Sequence, residues 1–202
     1  SYLYLSSSWG RVNLGEEDGI AYLLQVIAPS GDDRIDGVRP KIGAFSMANL
    51  GGTIRYGHND FSRTNKLTYT TPVLEGFQAG VSFTPSPSEG DRDGVSPALI
   101  SNTAGTDAEY GWELAARYTH DVDAVRVIIG SGYSRAEQEI RETAEEDSER
   151  FNAGMTLSWR DFQAGASFGI TNNAEINNNT ETRVIGVRYD IGSYAVGASY
   201  LH

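Results

Sequence analysis

The chain has no cysteine in its 202 residues, which excludes a disulfide framework and a thiolate metal site. Positive charge is scarce. Lys and Arg number 16 against 27 Asp and Glu, a formal net charge of −11. Nucleic acid is therefore not an expected partner, because its phosphates need Lys and Arg. No apolar run reaches the roughly 18 residues that a spanning helix needs, and mean hydropathy is −0.38. Histidine is limited to His58, His120 and His202. There is no HExxH, no glycine-rich phosphate loop, and no serine whose spacing ties it to a histidine. These absences point away from an enzyme. An initiating Met and a signal-peptide pattern are also missing. The sequence begins and ends in strand-like segments, so the expectation is an internal portion of a longer chain, truncated at both ends.

What the sequence does have is alternation. In FNAGMTLSW, Phe151, Ala153, Met155, Leu157 and Trp159 share one parity, and Asn152, Gly154, Thr156 and Ser158 take the other. After Arg160 and Asp161, FQAGASFGI repeats the pattern, with Phe162, Ala164, Ala166, Phe168 and Ile170 on one side. A period of two marks a β-strand. The same criterion predicts about nine strands, near 2–15, 64–72, 76–85, 111–121, 124–135, 150–160, 162–171, 182–190 and 193–202. Tight turns are expected at Pro72–Gly76, His120–Asp123, Arg160–Asp161 and Asp190–Gly192, built from Gly, Asp and Pro.

Long polar stretches separate these hairpins. Residues 86–110 are rich in Ser, Pro, Gly and Asp, residues 136–149 are strongly acidic, and residues 172–181 are rich in Asn. Residues 16–62 are too long for a simple connector and should carry function or structure of their own. Within them, IAYLLQVI at 20–27 fits a short helix packed on an apolar surface.

Short turn, long loop, short turn is the habit of an up-and-down transmembrane β-barrel. A soluble β-sandwich that binds a partner through its loops would share the alternation. The polar positions separate the two. They are mostly Gly, Ser, Thr, Gln and Asn with scattered Arg, and small residues facing a lumen leave room for water. Aromatics gather near strand ends, as at Trp112, Trp159, Phe162, Tyr69, Phe77, Tyr118, Tyr189 and Tyr194. Such placement suits the two aromatic girdles of a membrane barrel.

Three stretches carry a family resemblance. SSSWGRVNLGEEDGIAYLLQV resembles the strand and the start of the third loop in Gram-negative general porins of the proteobacterial type. NKLTYTTPVLEGFQAGVSFTP resembles the next hairpin of that family, with its Lys-Leu-x-Tyr-x-x-Pro-x-x-x-Gly-Phe pattern, and GVRYDIGSYAVGASY resembles later hairpins. The resemblance implies an all-β, antiparallel barrel of about sixteen strands, with this chain as a middle portion, residues 1–202 forming one partial domain. It further implies an outer-membrane homotrimer in contact with lipid, passing ions and small hydrophilic solutes by passive diffusion. A channel of the same fold devoted to one solute is the nearest alternative.

By the same resemblance, residues 16–62 form the loop that constricts the pore. They carry Glu16, Glu17, Asp18, Asp32, Asp33 and Asp36. Inward parity on the strands gives a basic wall of Arg11, Lys66, Arg117, Arg126 and Arg188. An acidic loop facing a basic wall biases which ions pass, and screening in water makes that bias graded. The cluster Asp32, Asp33 and Asp36 offers oxygens to Ca²⁺, but without the ligand spacing of a calcium loop. No metal site and no cofactor are expected.

Overall fold

The computed structural model describes residues 1–29, 58, 61, 63–85, 108–138, 147–172 and 179–202. Ten strands run in chain order: β1 Tyr2–Ser7, β2 Gly10–Glu17, β3 Thr64–Thr70, β4 Phe77–Thr84, β5 Ala108–Val122, β6 Val125–Gln138, β7 Ser148–Trp159, β8 Phe162–Thr171, β9 Thr180–Ile191 and β10 Tyr194–Leu201. A four-residue helix, α1 at Ile20–Leu23, follows β2. The strands form one antiparallel sheet in which each pairs with its sequence neighbours, and β1 and β10 are the two edges. One sheet replaces the two that a sandwich requires.

Ten strands, not nine, result because the stretch expected at 2–15 is a hairpin. Ser7 pairs with Gly10 across a turn at Ser8 and Trp9. Gly10 takes φ 123°, a conformation that favours glycine. Three other turns are equally short. Asp123, Arg160 and Gly192 open two-residue connections with φ of 53°, 52° and 60°, the sign a tight hairpin needs. β5 runs on to Val122, so its turn is Asp123–Ala124, later than the expected His120–Asp123.

The two faces of the sheet invert the pattern of a soluble protein. Leu14, Leu67, Phe83, Leu114, Met155, Leu157, Ile185, Val187 and Val196 share one face and are all exposed. The opposite face buries Asn13, Thr64, Lys66, Thr68, Ser82, Thr84, Glu113, Ser134, Asn152 and Thr156. An apolar face of this extent needs a hydrocarbon environment. No helix among the described residues is long and apolar enough to cross a membrane.

Aromatic side chains band the apolar face at both ends. Near the short turns, Phe77 pairs with Tyr118, Trp159 with Phe162, and Phe162 with Tyr189. Toward the long connections, Phe83 pairs with Trp112, and Trp112 lies 5.3 Å from Tyr133, itself paired with Phe151. Phe151 and Trp159 mark the two bands on β7. Their separation is about 27 Å along the strand and, at a tilt of about 40°, about 21 Å across the membrane. That is close to the apolar band of an outer-membrane barrel, about 25 Å.

Candidate functional site

The site is the polar face and the segment laid across it. After β2, the chain turns at Asp18 and Gly19 onto this face. Gly19 packs directly on the Glu113 carboxylate, where a Cβ would collide. The Gly19 carbonyl accepts N–H groups from Tyr22 at 3.1 Å and Leu23 at 3.0 Å, which closes α1. The Ile20 N–H, at the helix start, donates to Ser82 Oγ at 2.9 Å, and Ser82 in turn contacts Thr68 Oγ1 at 2.8 Å. Ile20 and Leu24 meet Ala115 in a small apolar cluster with Leu23 beside it. The helix ends there, and residues 25–29 continue without regular secondary structure.

This run crosses the wall toward β9. Thr156 Oγ1 on β7 donates to the Ile27 carbonyl at 3.1 Å. Gly130, Gly154, Gly165 and Gly186 lie beneath Val26, Ala28 and Pro29. The small inward residues read as room for water are here occupied by the chain itself. The returning limb is also fixed. The His58 N–H donates to Gln25 Oε1 at 2.7 Å, and His58 Nε2 lies 2.7 Å from Ser134 Oγ on β6. Phe61 packs over Gly111, and its carbonyl accepts the Thr64 hydroxyl at 3.0 Å. His58 thereby ties both limbs to the wall.

The expected basic residues all fall on the polar face, in different settings. Lys66 is 2 % exposed, in the field of Glu113, Asp18 and Glu17. Arg11 stacks over Tyr4, 4.3 Å from the ring centre, and donates through Nε to Asn13 Oδ1 at 2.6 Å. Arg117 donates to Gln78 Oε1 at 3.1 Å and has no carboxylate partner among the described residues. Arg126 makes a two-pronged contact with Asp121 at 2.8 and 3.1 Å, and Arg188 pairs with Asp190 at 2.9 Å. Strand pairing sets Arg126, Ser158, Gln163 and Arg188 in one row. That row lies two residues, about 7 Å, nearer the short turns than the row of Thr156, Gly165 and Gly186.

The acidic residues divide. Glu16 and Glu17 belong to β2, opposite Asn65 and Thr64, so the connection starts at Asp18 and not at residue 16. Glu16 shares the parity of Leu14 and lies off the polar face. Glu17 is on the polar face, where its carboxylate accepts from Asn13 Nδ2. Asp18 faces Arg63 Nε at 3.5 Å. Asp32, Asp33 and Asp36 lie outside the described residues. Among the described residues, no group of His, Asp or Glu is arranged to hold a metal ion. Sequence reading missed Glu113, although a charge between Trp112 and Leu114 at inward parity was a usable signal. It also missed the contact of His58 with Ser134, which lie 76 positions apart.

An up-and-down sheet with an apolar outside, aromatic bands and a polar inside crossed by its own chain defines the wall of an outer-membrane β-barrel. The Gram-negative porin family matches residues 1–202, and the chain belongs to that family. Its location is accordingly the outer membrane. A porin whose structure was refined at 1.8 Å resolution shares the fold, with a TM-score of 0.59 at 16% identity. The likeness covers 99% of this chain, which spans 64% of the length of that one. None of the curated proteins matches the sequence.

Proposed function

We propose that the chain forms part of the wall of a water-filled channel for passive diffusion of ions and small hydrophilic solutes, narrowed by the segment that starts at Asp18. The observation that carries this reading is the inverted sheet. Its apolar face suits lipid, and its polar face holds charged side chains beside an inserted segment. Arg11, Arg117, Arg126 and Arg188 supply positive charge to the wall in this reading, and Glu17, Asp18, Asp32, Asp33 and Asp36 supply negative charge. Lys66, being buried, contributes less than the arginines. Ion preference is then graded, since charges about 10 Å apart in water are largely screened at about 0.1 M salt. The working assembly in this reading is a homotrimer in outer-membrane lipid.

Planar-bilayer recording on the full-length protein under a KCl gradient tests the proposal. Stepwise conductance in groups of three supports a trimeric diffusion channel, and the reversal potential reports which charge dominates the narrowest part. Folded, membrane-inserted protein that gives no steps refutes it. Block of the current by one sugar or organic acid would favour the solute-specific alternative.

A further inference from the structure

We propose that the inner-wall glycines Gly130, Gly154 and Gly186 set the bore, by fixing how deeply residues 19–29 seat against the wall. The inference rests on the channel reading above. These glycines come from β6, β7 and β9, and each touches the inserted segment. A Cβ at Gly154 would strike the Val26 carbonyl, and one at Gly186 would strike the Pro29 carbonyl. Both obstacles are main chain, so rotating a side chain cannot relieve them. At Gly130 the nearest obstacle is a side chain, Val26 Cγ2 at 2.7 Å from the added carbon, with the Leu24 carbonyl oxygen next at 3.1 Å.

The close approach is specific to the path of the segment. Gly169 lies on the same face of β8, two residues from Ser167, and a Cβ there would meet nothing nearer than 3.8 Å. The seat also has a polar tie, because the Thr156 hydroxyl holds the Ile27 carbonyl at 3.1 Å between the positions of Gly154 and Gly186. An alanine at Gly154 or Gly186 therefore has one outlet: the segment rises from the wall into the lumen. At Gly130 the rise needed to restore an ordinary 3.4 Å contact, starting from 2.7 Å, is about 0.7 Å. Packed walls transmit such displacements instead of absorbing them.

The test compares single-channel conductance and the size cut-off for polyethylene glycols in full-length variants. Gly154→Ala with Gly186→Ala should lower conductance by about a fifth or more and exclude smaller polymers, while Gly169→Ala matches the parent. A double variant equal to Gly169→Ala, with a heat-modifiable folded band on gels, overturns the inference. So does a rise in conductance, which would mean the segment has left its seat. If the double variant does not fold, the milder pair decides. Gly130→Ala should narrow the pore, and adding Val26→Ala should restore most of the loss, because Val26 Cβ is already at 3.4 Å and only the Leu24 carbonyl oxygen at 3.1 Å stays close. No change in either overturns the inference while the channel reading stands. A parent that conducts nothing overturns both.

Discussion

Arginine placed at Met155 should disable insertion, whereas arginine three residues further along the same strand should not. Met155 is on the apolar face, four residues from Phe151 and four from Trp159, so it lies midway between the aromatic bands. A cationic side chain on the lipid face at the bilayer midplane costs about 2–4 kcal/mol. At about 1.4 kcal/mol per tenfold, that is a loss of about 30- to 1,000-fold in the folding equilibrium. Ser158 has the opposite parity, in the row with Arg126 and Arg188. There the new charge stays in water, and repulsion from its row should cost less than about 1 kcal/mol. The assay is urea-dependent folding of Met155→Arg and Ser158→Arg into lipid vesicles, followed by the gel mobility of unheated samples. Equal midpoints for the two variants would refute the assignment of faces, and with it the membrane reading of the sheet.

Three further outcomes follow from the polar face. Glu113→Gln should destabilise the folded protein by about 3–5 kcal/mol, since it leaves the buried Lys66 ammonium without its main counter-charge; pairing Glu113→Leu with Lys66→Met should recover much of the loss in the same urea titration. Ser134→Ala should cost about 1–3 kcal/mol by removing the hydroxyl at His58 Nε2, and it should raise open-channel current noise; a noise spectrum identical to the parent would mean that His58 does not restrain the segment. Neutralising Glu17 and Asp18 together should move the KCl reversal potential toward anion preference, while Glu16→Gln, altering a residue off the polar face, should leave it unchanged.

The sequence exposes this fold to the extent that each strand keeps its own parity. β7 and β8 are legible residue by residue, because no inward position there is apolar and each flanks the short turn at Arg160–Asp161. The hairpin of β1 and β2 is hidden for a physical reason. Tyr2 and Tyr4 are aromatics on the polar side, and Ser6 to Ser8 give only the weak turn signal of serine hydroxyls. The remaining trace is a parity switch, from the odd positions Leu3 and Leu5 to the even positions Val12 and Leu14. The five basic residues were reachable by counting along their strands. Burial was not, so Lys66 reads like the arginines although Glu113 and the segment enclose it. The contacts of His58 and of the wall glycines depend on a connection folding back over strands far along the chain, and local pattern carries no record of that path.

The inserted segment has a consequence for assembly. Pro29 rests on Gly186, so a residue just after β2 depends on a strand more than 150 positions further along. Contacts of such long range are formed late, because the closure entropy must be met before they add stability. Early hairpins can pair without the segment in place, but its far end has no floor until β9 has joined β8. A chain stalled before that point would have a wall of normal appearance with an unseated tip. On the channel reading, the width of the passage is then set only once β9 has joined β8, and conditions that slow that step would be read out first as heterogeneous conductance and only later as lost protein.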